Sequence, residues 1–136
     1  MDDSSRRTRL TDARVGHLAT VTENGEPHVV PCCFAVNGDT VYTAVDAKPK
    51  STRALRRLAN VAVNPVASLV IDHYDDDWTQ LWWVRVDGVA RVVGDDAEIA
   101  HAIALLRAKY AQYDTVAIDG PIIAIDVTRW RSWAYA

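Results

Sequence analysis

Apolar and polar positions change their period several times along the chain, and each change marks an element. Ser5 to about Ala13 reads as a short helix with Leu10 and Ala13 facing inward. From Val15 to Thr22 (VGHLATVT) the residues alternate and β-branched side chains dominate, the pattern of a half-buried strand. Glu23-Asn24-Gly25-Glu26-Pro27 is a hairpin turn, because Asn-Gly supplies the positive φ angles that tight hairpins demand. His28 to Val36 (HVVPCCFAV) is the return strand. Pro31 inside it has no N–H to give a ladder, which places an edge or a bulge there. Asn37-Gly38-Asp39 turns the chain again into a third strand, Thr40 to Val45.

Pro49 to about Val61 is a helix with Ala54, Leu55 and Leu58 on one face, and Pro65 opens a strand over Val66–His73. The polar turn Asp75-Asp76-Asp77 leads to one long strand, Leu81–Val93, bent at Asp87-Gly88, where glycine marks a bulge. Asp95 and Glu98 have capping-box spacing, and Ile99, Ile103, Leu106 and Tyr110 continue a helix to about Tyr113. After Gly120-Pro121 comes a last strand, Ile122–Tyr135. Strands and helices do not alternate regularly, which excludes a doubly wound parallel sheet. The expected fold is mainly β (α+β). It is an antiparallel barrel of six to seven strands with one inserted helix and one packed outside, in a single domain over residues 1–136.

Composition narrows the classes. The 136 residues are 49% hydrophobic and 24% charged, ordinary for a globular protein and unlike a disordered chain. The net charge of −3 argues against a general nucleic-acid binder. No apolar run approaches the ~18 residues of a membrane span, and Met1-Asp2-Asp3-Ser4-Ser5-Arg6-Arg7 leads into no apolar signal stretch. A cytoplasmic protein with neither nucleic-acid nor membrane partners is expected. The two cysteines, Cys32 and Cys33, are adjacent, too close for a relaxed disulfide and without C-x-x-C spacing.

Two features call for chemistry. Lys48-Pro49-Lys50-Ser51-Thr52-Arg53-Ala54-Leu55-Arg56-Arg57 carries five basic residues, and no acid occurs between Asp46 and Asp72. On a helix Lys50, Arg53 and Arg57 share a face, where like charges repel. Ser51 and Thr52 stand in the first turn, where free N–H groups and the helix dipole favour a phosphate. The segment reads either as an anion site or as a solvated basic face opposite an apolar stripe. Tryptophan is the second feature: Trp78, Trp82, Trp83, Trp130 and Trp133 accompany one Phe. Adjacent Trp82 and Trp83 on a strand point to opposite faces. One fills the barrel, and the other needs a subunit interface, a ligand ring or cover from the C-terminal helix.

The remaining candidates are weaker. His17, His28, His73 and His101 have no metal-ligand spacing, and Asp75–Asp77 lacks the alternation of a calcium loop, so no metal site is expected. No nucleophile-elbow, zincin, dinucleotide or Walker motif occurs, and no catalytic residue is assigned.

Val15-Gly16-His17-Leu18-Ala19-Thr20-Val21, the Asn24-Gly25 turn and Pro27-His28-Val29-Val30-Pro31 with Phe34 resemble the opening hairpin of the flavin/deazaflavin split-barrel superfamily, which includes the pyridoxamine 5'-phosphate oxidase-like proteins. Thr43, the Lys48–Arg57 segment and Asn64-Pro65 look like its cofactor-phosphate region. Leu81-Trp82-Trp83-Val84-Arg85-Val86-Asp87-Gly88 with Ala90, after Asp76-Asp77-Trp78, is similar to an actinobacterial subgroup of coenzyme F420-dependent oxidoreductases. The resemblance covers nearly the whole chain. It implies a homodimer of split barrels with two cofactor sites at the dimer interface. Phosphate would be held by Lys50, Ser51, Arg53 and Arg57, with Lys48 a further candidate. A tricyclic ring would lie along Val30, Pro31 and Cys32, and Trp83 would close the site from the other subunit.

The implied activity is hydride transfer between F420 and a small organic substrate, with FMN as the alternative cofactor. A non-catalytic carrier of F420, FMN, haem or a tetrapyrrole is the reading from another class, and a dimeric interaction domain a third. The chain departs from true pyridoxamine phosphate oxidases, which are longer and carry a C-terminal substrate-binding segment.

Overall fold

The computed structural model describes residues 1–45 and 52–135, and the side chains of 1–45 and 56–135. Its chain order is α1 (Asp3–Asp12), β1 (Gly16–Val21), β2 (Pro27–Cys32), β3 (Ala35–Asn37), β4 (Thr40–Ala44), α2 (Thr52–Val63), β5 (Val66–His73), β6 (Trp82–Val92), α3 (Asp96–Lys109) and β7 (Ile122–Ala134). All seven strands join one antiparallel sheet in the order β2-β1-β5-β6-β7-β4-β3. The sheet curls into the expected split barrel, mainly β with three accessory helices.

Alternation decides which side chains enter the curl. Leu18, Leu69, Ile71, Val84, Val86, Ile123 and Ile125 point inward and are buried with Phe34 and Leu10 of α1. Full burial of each such side chain is worth about 1.5–3 kcal/mol. Leu58 and Val61 of α2 pack on the same core, and Asn60 donates from Nδ2 to Thr20 Oγ1 at 3.1 Å. Arginines hold α1 over the barrel mouth: the guanidinium of Arg7 lies 4.6 Å from the Trp130 ring centre, and that of Arg9 lies 4.5 Å from Trp82. On the opposite face of β3, β4 and β7, a second core joins Ala35, Tyr42, Ile122 and Ala124 to Ala102 and Leu106 of α3 and to Tyr110 just past its end.

Three expectations shift. The return strand drawn over His28–Val36 is two strands, broken at Cys33-Phe34, because the Phe34 side chain dives fully into the core while its backbone N–H goes to the Tyr110 hydroxyl. The third helix stops at Lys109, and a 3-10 turn, Ala111–Asp114, replaces its last turn. The capping box is half formed: Asp95 Oδ2 accepts from Glu98 N at 2.9 Å, but the Glu98 carboxylate turns away to Arg91 and Tyr42.

The bulge falls where glycine marked it. Register shifts between Asp87 and Gly88, so that Thr128 of β7 is the extra residue. A Cβ on Gly88 would stand 2.3 Å from the Asp126 carbonyl oxygen, so backbone approaches backbone too closely for any other residue. Among the described residues, no helix is long and apolar enough to cross a membrane.

Candidate functional site

Strand β2 lies at the sheet edge and pairs only with β1, with Pro31 opposite His17. Proline cannot donate to that neighbour, so the Pro31/His17 pair is a non-bonded one. By the alternation of an antiparallel ladder, Val29 then turns its N–H and carbonyl away from β1. The edge thus offers backbone donors and acceptors beside exposed Pro31, while Val30 and Cys32 turn inward against the core. A flat polar ring laid on this edge would meet backbone more than side chains.

Positive charge stands near the inner end of this strand. Burial pushes the Cys32 thiol up, a hydrogen bond with Thr43 pulls it down, and the nearby positive charge of Arg57 pulls the same way. Thr43 is buried, and its hydroxyl donates to the Cys33 carbonyl at 2.7 Å. Arg57 is half-buried, and its Nε meets no acceptor among the described residues. The structure therefore brings Cys32, Thr43 and Arg57 together around the end of β2. Lys48, Lys50 and Ser51 lie outside the described residues, as does the side chain of Arg53.

Lys109 and Arg14 join this cluster, and the sequence reading missed both. The Lys109 ammonium sits 3.8 Å from the Phe34 ring centre and 5.4 Å from that of Tyr110, with its Nζ buried and without a hydrogen-bond acceptor among the described residues. Desolvation, with the like charge of Arg14 behind it, lowers its pKa to about 8. A buried donor left unpaired costs about 1–3 kcal/mol, more for a charge. Arg14 stacks 4.7 Å from the Tyr110 ring centre and donates to the Lys109 carbonyl at 3.0 Å, capping the C-terminus of α3. The signal was present in spacing. Lys109 follows Leu106 by three, so it flanks the apolar stripe rather than the solvent face.

Tyr110 holds the arrangement in place. Its hydroxyl accepts from Phe34 N–H at 3.1 Å, and its proton faces the carbonyls of Arg14 (3.0 Å) and Phe34 (3.2 Å). Beside it opens a cleft of about 380 Å³ lined by Arg14, Cys33, Tyr110, Gln112, Tyr113 and Val116.

Trp83 stands elsewhere. Trp82 packs on the core while Trp83 faces out, as adjacent strand residues must, and pairs across the sheet with Trp133. His17, Val70, Asp72, Trp83 and Arg85 line a shallow hollow of about 480 Å³ on this outer face. Helix α3 covers the β3–β4 end instead, so it is not what shelters Trp83. Among the described residues His17, the cross-strand partner of Pro31, lines this hollow with Trp83, while Cys32 and Thr43 lie on the inner side of the sheet.

The pyridoxamine 5'-phosphate oxidase family model matches residues 3–134. The chain belongs to this family. Among solved structures, a conserved hypothetical protein of Mycobacterium tuberculosis is similar, with a TM-score of 0.82 and 21% identity over 99% of this chain and 86% of that one. An FAD-binding protein of Mycobacterium smegmatis gives 0.67 and 21% over 100% and 98%. HutZ, the haem storage protein of Vibrio cholerae, gives 0.71 and 18% over 97% and 92%. At these identities the likeness shows the fold. No curated protein matches.

Proposed function

We propose that this family member is an oxidoreductase that binds a flavin-type redox cofactor, F420 in the first place and FMN as the alternative, at the β2 edge of a homodimer. The observation that carries the reading is the unpartnered cationic end of that edge, above all the buried Arg57 Nε. Those residues fit a phosphorylated ring cofactor. Arg57, with Lys48, Lys50, Ser51 and Arg53, would hold the phosphate, and the outward backbone of Val29 and Pro31, in the run Val30, Pro31 and Cys32, would align the ring.

The cofactor, when bound, supplies the hydride chemistry. The protein binds and orients. Such positioning removes several kcal/mol of barrier without an acid–base side chain, which suits a chain in which none has been assigned. Thr43 and Tyr110 fix the peptide of Cys33-Phe34 from either side and so keep the edge rigid. Trp83, on the outer face, would close the site from a partner subunit. The uncovered face of β2, β1, β5 and β6 supports such pairing, with Val29 60% and Val66 52% exposed.

Parallel titrations with F420 and FMN test the reading. Lys50→Ala with Arg53→Ala is expected to weaken binding at least tenfold, since charge-assisted bonds to phosphate are worth about 1.5–3 kcal/mol each. Wild-type affinity in that variant would remove the site. Turnover with quinones, unsaturated lactones or bilins then separates an enzyme from a carrier. The carrier reading draws on the FAD-binding and haem storage proteins that share the fold. Tight binding without turnover would favour it.

A further inference from the structure

We infer that the cleft between α1, Cys33 and the end of α3 binds a small organic monocarboxylate with a planar apolar body, its carboxylate meeting the Lys109 ammonium. The site is independent of which redox ring the edge of β2 holds.

Charge and shape lead to this ligand. Lys109 Nζ is buried with no acceptor among the described residues and lies 5.4 Å from the ring centre of Tyr110, which lines the cleft together with Cys33. An ammonium so placed lacks a counter-ion, and a carboxylate supplies one by a charge-assisted bond. Arg14 adds a second positive charge at the wall, donating one bond from Nη1 to the Lys109 carbonyl and stacking on the Tyr110 ring. A phosphate dianion would have to shed strong hydration against walls of Tyr110, Tyr113 and Val116. Those rings accept a flat apolar body, and about 380 Å³ is the size of a small-molecule site. The Gln112 amide stands at the same wall. Lys109 does not itself line the cleft, so binding requires its four-carbon stem to swing from its place over Phe34 towards Cys33.

The groups facing Lys109 set the pH dependence. Asp12 and Arg14 approach from the end of α1, Cys32 and Cys33 from the end of β2, and Tyr110 from its own helix end. Asp12 and the thiols favour the ammonium, and Arg14 opposes it. With the free lysine titrating at about 8, affinity for a carboxylate is constant below that pH and falls above it.

The test is calorimetric or NMR titration of the purified protein with benzoate, benzamide and inorganic phosphate. Benzoate is expected to bind at least tenfold more tightly than neutral benzamide at pH 7, and phosphate more weakly than benzoate. Lys109→Met is expected to abolish that preference while leaving benzamide binding unchanged, and Lys109→Arg to restore part of it. Val116→Glu, at an exposed rim position, sets a carboxylate against the ligand without touching the core, and should also weaken benzoate binding. Equal binding of benzoate and benzamide, stronger binding of phosphate, or an unchanged preference in Lys109→Met overturns the inference. Benzoate binding that persists in Lys50→Ala with Arg53→Ala shows that this cleft and the phosphate site stand or fall separately.

Discussion

Arg91 on β6 and Glu98 on α3 form a two-pronged ion pair, Nη1–Oε1 at 2.7 Å and Nη2–Oε2 at 2.8 Å. The same guanidinium bonds Asp126 of β7 through Nε at 2.7 Å, and Tyr42 of β4 donates to Glu98 Oε2 at 2.7 Å. These four side chains together tie α3 to three strands, β4, β6 and β7. Arg91 and Tyr42 hold the Glu98 carboxyl down at about 2. The unfolded chain takes up that proton near 4.5, so the stabilisation is complete above 4.5 and is lost as pH falls towards 2. Thermal melts from pH 6 to pH 2.5 should show this loss, and Glu98→Gln should flatten the acid limb while lowering the melting temperature at pH 7.

The Lys109 amine runs the other way. Its folded pKa of about 8 lies below the usual 10.5, so between these values the unfolded chain binds more protons than the folded one. Stability from this group therefore rises with pH over that window and is least at neutral pH. Lys109→Met is expected to raise the melting temperature at pH 7 and to remove the gain between pH 8 and 10. A lower melting temperature at pH 7 would show that the ammonium has a partner.

Removing the Tyr110 hydroxyl isolates the support of the edge site. Tyr110→Phe leaves the buried Phe34 N–H without its acceptor, at a cost of about 1–3 kcal/mol. Urea unfolding measures the loss. If the Cys33-Phe34 peptide supports cofactor binding, affinity for F420 or FMN falls in the same variant while the protein remains folded.

The outer face gives a prediction about assembly. Val66→Asp places a charge at the start of β5, on the exposed outer sheet face, without altering the inward core. Sedimentation velocity is expected to show a dimer for the parent chain and a monomer for the variant, with cofactor binding lost alongside dimerisation. A monomeric parent that still binds cofactor would place the whole site within one chain.

Local signals fixed much of the architecture. Period-two alternation located the strands, Asn24-Gly25 and Asn37-Gly38 located two hairpins, and Gly88 located the bulge, since each depends on residues adjacent in sequence. Glycines 25 and 38 indeed take positive φ, 81° and 59°. Alternation also foretold that Trp82 and Trp83 part company. The break at Cys33-Phe34 was not legible, because its cause is a hydroxyl 76 residues away on Tyr110. For the same reason the sequence reading passed over Lys109, a helical residue beside an apolar stripe. Packing α3 against Phe34 is what strips its ammonium of water and leaves it unpaired. A chain carries its turn chemistry and its hydrophobic period in consecutive residues. The desolvation of a charge depends on which distant surfaces close over it, and only the folded sheet with its helices decides that.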